Sequence, residues 1–182
     1  MKSKSGIVTV VVLAAFAAIV LYFTFGGEGS DPVTEPQAEA PAAQQVSSEP
    51  YLTGLTDLTG KPVDMEKDKV IFLNVWATWC GPCVMEMPGI QKLYERYKSN
   101  DKVRFYIVSD EDAETINPFV ARKDYQLPFY IYQNMYPPVL DGNAIPRSYI
   151  IHKGRVLTQM IGAADWDTPE TYAVIDKALQ DS

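Results

Sequence analysis

The run KVIFLNVWA, Lys69 to Ala77, is apolar or aromatic at nearly every position, so a strand built from it has no face suited to water. It requires cover on both sides. Helices and strands alternate after it in sequence, the pattern of a layered α/β domain. From Pro82 to about Ser99 a helix is predicted, because Pro82 is acceptable in a first turn and Ile90, Leu93, Tyr94 and Tyr97 recur at helical spacing. Val103–Ser109 reads as the next strand, and Glu111 to about Tyr125 as a second helix opened by acidic residues. Phe129–Gln133 suits a strand or a loop. Arg147–Gly162 reads as two strands joined at Lys153–Gly154, and Thr168, Pro169 and Glu170 open a last helix to about Leu179. A short, turn-broken segment around Leu52–Met65 precedes all of these. The order predicts an α/β fold with a central mixed sheet flanked by helices.

The chain has 182 residues, enough for one ordinary core and an appendage. Its first part has a different character. Lys2 and Lys4 precede Gly6–Phe25, which has no charged residue and, at about 20 residues, is long enough to cross a bilayer as a helix. A cleaved signal peptide has a shorter apolar stretch, typically about 7–15 residues, so an uncleaved anchor is expected. Lysines before the span and acidic residues after it place residues 1–5 in the cytoplasm and everything after Phe25 outside, in a periplasmic or other extracytoplasmic space. Residues 26–50 are rich in Pro, Ala, Glu and Gln and read as a flexible linker; residues 51–182 form the globular domain. A net charge of -7 argues against a nucleic-acid partner, which calls for clustered Lys and Arg.

The chain's two cysteines, Cys80 and Cys83, enclose only Gly81 and Pro82, so a bridge between them restrains almost no chain. Stability is a poor reason for them. A strand ending near Ala77 and a helix starting near Gly81 put Cys80 at a helix N-terminus, where unpaired N–H groups and the positive dipole end favour a thiolate. Cys80 is then the nucleophile, and Cys83, one turn further in and less exposed, the resolving thiol. Two structural thiols, or half of a zinc site, are the competing readings. Zinc would need two more Cys or His ligands, and the chain has one histidine, His152.

The stretch NVWATWCGPCVMEMP, Asn74 to Pro88, resembles the active-site region of the thioredoxin superfamily, and more narrowly the TlpA and ResA-type membrane-anchored thiol–disulfide oxidoreductases. The resemblance covers about Leu52 to Leu179 and implies a thioredoxin-like fold. It further implies that Pro146, in GNAIPRSYII, is a cis-proline beside the cysteines, that Ile145 offers its backbone to a substrate strand, and that Trp79, with Gly81 and Pro82, lines the substrate surface. The buried acid of plain thioredoxins is replaced by Asn74. Glu86 is the candidate substitute: it shares a helix face with Ile90, Leu93 and Tyr97, where a carboxylate would be partly desolvated and able to exchange a proton with Cys83, the competing reading being a solvated surface glutamate. The resemblance places a glutamate at this position too.

The expected function is reduction of protein disulfides by a Cys80–Cys83 dithiol, with no cofactor beyond that redox-active disulfide and no metal. Electrons would come from an integral membrane thiol-transfer partner, and the resemblance implies a role in cytochrome c maturation. A disulfide oxidase or isomerase, a peroxiredoxin-type peroxidase, and a copper-binding or interaction module are the alternatives. Elsewhere the ordinary readings hold: His152 on the surface, Trp76 in the core, Pro88 structural, and Ser109–Glu114 as a helix start. The tyrosine-rich segment before Pro146 suits either packing or a partner groove.

Overall fold

The computed structural model describes residues 49–181. The expected tail, anchor and nearly all of the linker lie outside the described residues. Among the described residues no helix is long and apolar enough to cross a membrane.

The elements follow in the order β1 (Leu55–Asp57), β2 (Pro62–Val63), β3 (Val70–Val75), α1 (Gly81–Tyr97), β4 (Val103–Ser109), α2 (Ala113–Lys123), β5 (Phe129–Ile131), β6 (Arg147–His152), β7 (Arg155–Ile161) and α3 (Pro169–Gln180). They build one mixed sheet in the order β2-β1-β5-β4-β3-β6-β7. β3 is central, parallel to β4 and antiparallel to β6, with Val75 opposite Arg147 and Ile71 opposite Ile151. All six of its residues are buried, as its composition demands. β6 and β7 form a hairpin whose turn residues, Lys153 and Gly154, both have positive φ, the pairing that a tight two-residue hairpin turn uses. Leu55–Asp57 and Pro62–Val63 settle the turn-broken N-terminal segment as a short antiparallel pair at the far edge.

Two apolar layers sandwich the sheet. On one face Phe72, Trp76, Phe105, Ile107 and Ile150 pack against residues of α1, α2 and α3, among them Met87, Ile116 and Ile175. The other face, with Ile71, Leu73, Tyr106 and Tyr149, is covered instead by Tyr51, Leu52, Met65, Tyr132 and Leu140. The tyrosine-rich segment thus belongs in large part to packing. Tyr136 stacks on Arg147, with the guanidinium 4.3 Å from the ring centre, and Arg147 Nε and the Tyr149 hydroxyl both donate to the Leu140 carbonyl, at 3.1 and 3.2 Å. Burial pushes the Tyr136 hydroxyl up to about 12.

Candidate active site

β3 ends at Val75 and α1 begins at Gly81, so the turn between them delivers Cys80 as the N-cap of α1. Its extended backbone (φ -83°, ψ 99°) turns Sγ back over the first turn, where it accepts the Cys83 N–H at 3.2 Å. Proline at the start of α1 leaves no extra orphan donor, since it has no N–H. Cys80 and Cys83 are joined as a disulfide with their Cα atoms 5.3 Å apart. Cys80 is 4% exposed and Cys83 fully buried, so an approaching thiolate meets Cys80 first. Around this pair Gly81 and Pro82 are exposed and Trp79 is 73% exposed, a large aromatic surface left in water. Trp76, three residues earlier, is in the core between Phe119 and Phe129.

The Ile145–Pro146 peptide is cis. Pro146 immediately precedes β6, and the pairing of Arg147 with Val75 sets it at the cysteine end of β3. Its carbonyl accepts the Gly162 N–H at 2.8 Å, and Ile145 packs against the apolar cluster that holds both cysteines. Pro146 has no N–H to donate to a ladder, and its carbonyl is already taken by Gly162.

Glu86 lies one turn beyond Cys83 and is buried. Its Oε1 accepts Asn74 Nδ2 at 2.7 Å, while Oε2 accepts the Ala164 N–H at 3.1 Å and Trp166 Nε1 at 3.2 Å. Burial raises its pKa above the ordinary value of 4.5, and the three N–H donors oppose that rise without cancelling it. Asn74 therefore holds the new carboxylate in place, and the same Nδ2 also reaches Ser148 Oγ at 2.8 Å. Trp166, Ala164 and Ser148 escaped the sequence reading. Gly89 is a faint signal of Trp166 alone: a Cβ there would lie 3.3 Å from both Asp165 Oδ1 and Trp166 N, so the glycine lets α1 press against the loop that carries Trp166.

The other miss is Glu111. Its carboxylate accepts the Thr78 N–H at 2.6 Å and the Thr78 hydroxyl at 2.7 Å, clamping the turn that leads to Cys80. The acidic run is a helix start as expected, with Asp112 capping α2, but Glu111 has this second task. One expectation is corrected outright. His152 is 6% exposed instead of lying on the surface, because β6 carries it beneath a cleft bordered by α3, and burial lowers its pKa.

Residues 35–178 match the Redoxin family. A thiol-disulfide oxidoreductase ResA of Bacillus cereus is 33% identical over 122 residues, 65% of this chain and 70% of that protein. ResA of Bacillus subtilis (strain 168) is 29% identical over 114 residues, 59% of this chain and 63% of its own. Among solved structures, a putative thiol:disulfide interchange protein DsbE from Chlorobium tepidum superposes with a TM-score of 0.61 at 24% identity, covering 72% of this chain and 95% of that one. A putative thioredoxin from Neisseria meningitidis gives 0.55 at 30% identity, covering 75% and 93%. The chain is a thiol–disulfide oxidoreductase of the Redoxin family, a ResA/TlpA-like member of the thioredoxin superfamily.

Proposed function

We propose that this enzyme is a membrane-anchored, extracytoplasmic reductase of protein disulfides that works through Cys80 and Cys83 without a further cofactor. The observation that carries this reading is the disulfide at the N-cap of α1 with a desolvated carboxylate one turn beyond it. In the reduced enzyme the Cys80 thiolate attacks a substrate disulfide, forming a mixed disulfide and releasing one substrate thiolate. Cys83 then gives up its proton to Glu86 and attacks Cys80 Sγ, which releases the second substrate thiolate and closes the enzyme disulfide. Two electrons pass to the substrate. The disulfide form is the product of that cycle and needs two electrons back.

Those electrons come, in this reading, from an integral membrane thiol-transfer protein, and the apolar stretch at residues 6–25 keeps the domain within its reach. Trp79 and the Ile145–Pro146 corner bind the substrate chain, the first by apolar contact and the second through backbone groups. The resemblance to ResA-type proteins points to the oxidised Cys-x-x-Cys-His haem-attachment segments of apocytochromes c as substrate.

Trapping tests both the roles and the substrate. Incubated with an oxidised peptide carrying Cys-x-x-Cys-His, the Cys83→Ser enzyme is expected to accumulate a mixed disulfide through Cys80, visible by mass. Cys80→Ser is expected to trap none. An adduct on Cys83 would reverse the assignment, and no adduct with either variant would reject this peptide class as substrate.

A further inference from the structure

At the end of the sheet away from the cysteines, a cleft of about 380 Å³ opens between the β6–β7 hairpin and the last turns of α3. β3 and β6 fix its place. The cysteine turn follows Val75, which pairs with Arg147, whereas the hairpin follows His152 at the other end of β6. The two ends are about 17 Å apart along the strands.

In a chain of net charge -7 this cleft is locally basic. Lys153, Arg155 and Lys177 line it against a single acidic side chain, Asp181, whose backbone carbonyl accepts from Lys153 Nζ. Between the cations the lining is apolar: Leu157, Val174 and Ala178. Leu157 owes its position to a bulge, since Ile150 pairs with Thr158 and Ile151 with Val156, leaving Leu157 without a partner in the ladder. Val174 also borders a second, smaller cavity beside Thr158 and Met160, which Asp165 and Glu170 make acidic, so the basic character is confined to the hairpin end. Leu157 and Met160 are each 41% exposed on β7, which ends the sheet. Cations around exposed aliphatic side chains match a surface whose outer layer is anionic and whose next layer is hydrocarbon.

The chain reaches the domain at this same end. The Tyr51 hydroxyl accepts the Gly154 N–H at 2.6 Å and donates to the Lys67 carbonyl, so the start of the described chain packs beside the hairpin. We propose that the basic cleft between the β6–β7 hairpin and α3 docks reversibly on an anionic phospholipid surface, a state in which the disulfide end of the sheet faces away from the bilayer towards substrate, whereas reduction by the membrane thiol-transfer partner takes place in the undocked state. The inference rests on the reading of residues 6–25 as a membrane anchor. Docking by three cations is weak alone and becomes effective when the anchor keeps the surface close.

The test uses the full chain in nanodiscs of phosphatidylcholine, with and without phosphatidylglycerol, read by amide hydrogen exchange. Co-elution with discs of either composition reports the anchor, and its absence would reject that reading by itself. Given co-elution, the proposal requires several-fold slower exchange at residues 153–158 and at the end of α3 in phosphatidylglycerol discs only. The protection should vanish in about 1 M salt, where the screening length is about 3 Å, and in the K153Q/R155Q/K177Q variant. That variant should still reduce a soluble peptide disulfide at the wild-type rate, which shows that it is folded. Equal exchange in the two lipids would overturn the proposal. So would equal protection by inorganic phosphate in phosphatidylcholine discs, which would make the cleft a free-anion site.

Discussion

Glu86 and Glu111 reach the cysteine turn from different elements, and the same side chain serves opposite ends in the two places. Glu86 comes from α1 itself and is sealed from water, so its charge is disfavoured although three N–H groups face it. Glu111 comes from the loop after β4, is half-buried, and places both oxygens on Thr78. One carboxylate is suited to gain and lose a proton, the other to hold a turn as a fixed acceptor. Environment, and not residue type, divides these roles.

The sharpest way to break that division is Glu86→Gln, which keeps the side chain's size and removes the titration, while turning the acceptor that faces Asn74 into a donor that the unpaired Asn74 Oδ1 can accept after an amide flip. We expect disulfide exchange to slow on the order of 100-fold, at the low end of general acid–base effects. The pH–rate profile should lose an inflection; an unchanged profile would remove Glu86 from the chemistry. Stability should move the other way with pH. Because burial raises the native pKa of Glu86 above 4.5, the native state holds the proton longer than the unfolded chain does. Its stabilising contribution is full below 4.5 and is lost as the pH rises through the native value. Urea midpoints from about pH 4 upward should therefore fall more steeply for the wild type than for Glu86→Gln, and parallel curves would contradict the role of burial.

Glu111→Ala should act on the fold and leave the shape of the pH–rate profile alone. Loss of two charge-assisted bonds to a half-exposed turn should cost about 1–2 kcal/mol, discounted for solvent from the buried value. Glu111→Gln should recover part of it, and a shifted inflection in either variant would erase the contrast between the two carboxylates. The smallest effect is reserved for Trp166→Phe. It removes one donor to Glu86 Oε2, so the pKa of Glu86 should rise further, read from the carboxyl carbon by NMR titration. A fall would mean that the indole acts through desolvation more than through its N–H.

Much of this was legible in the sequence because the signals are local. The apolar run of β3, the proline opening α1 and the Lys153–Gly154 turn each specify a backbone conformation from adjacent residues. Glu86 was legible for a related reason: helical spacing puts it on the face shared with Ile90 and Leu93. What holds it was not, since Trp166 lies 80 positions away and Ala164 contributes a backbone N–H that no side chain announces. The Glu111–Thr78 contact spans 33 positions and looks, in sequence, like any acidic helix start. His152 was misjudged because strand ends are usually exposed, and only the pairing of β6 beside α3 buries this one.

The reduction potential of the Cys80–Cys83 pair, equilibrated in thiol redox buffers at about pH 7, tests the direction of electron flow most directly. A reductase supplied from the membrane should show about -250 mV or lower, near thioredoxin. A value of about -120 to -180 mV would make the enzyme an oxidant or isomerase and contradict a cycle in which reduced Cys80 opens the substrate disulfide.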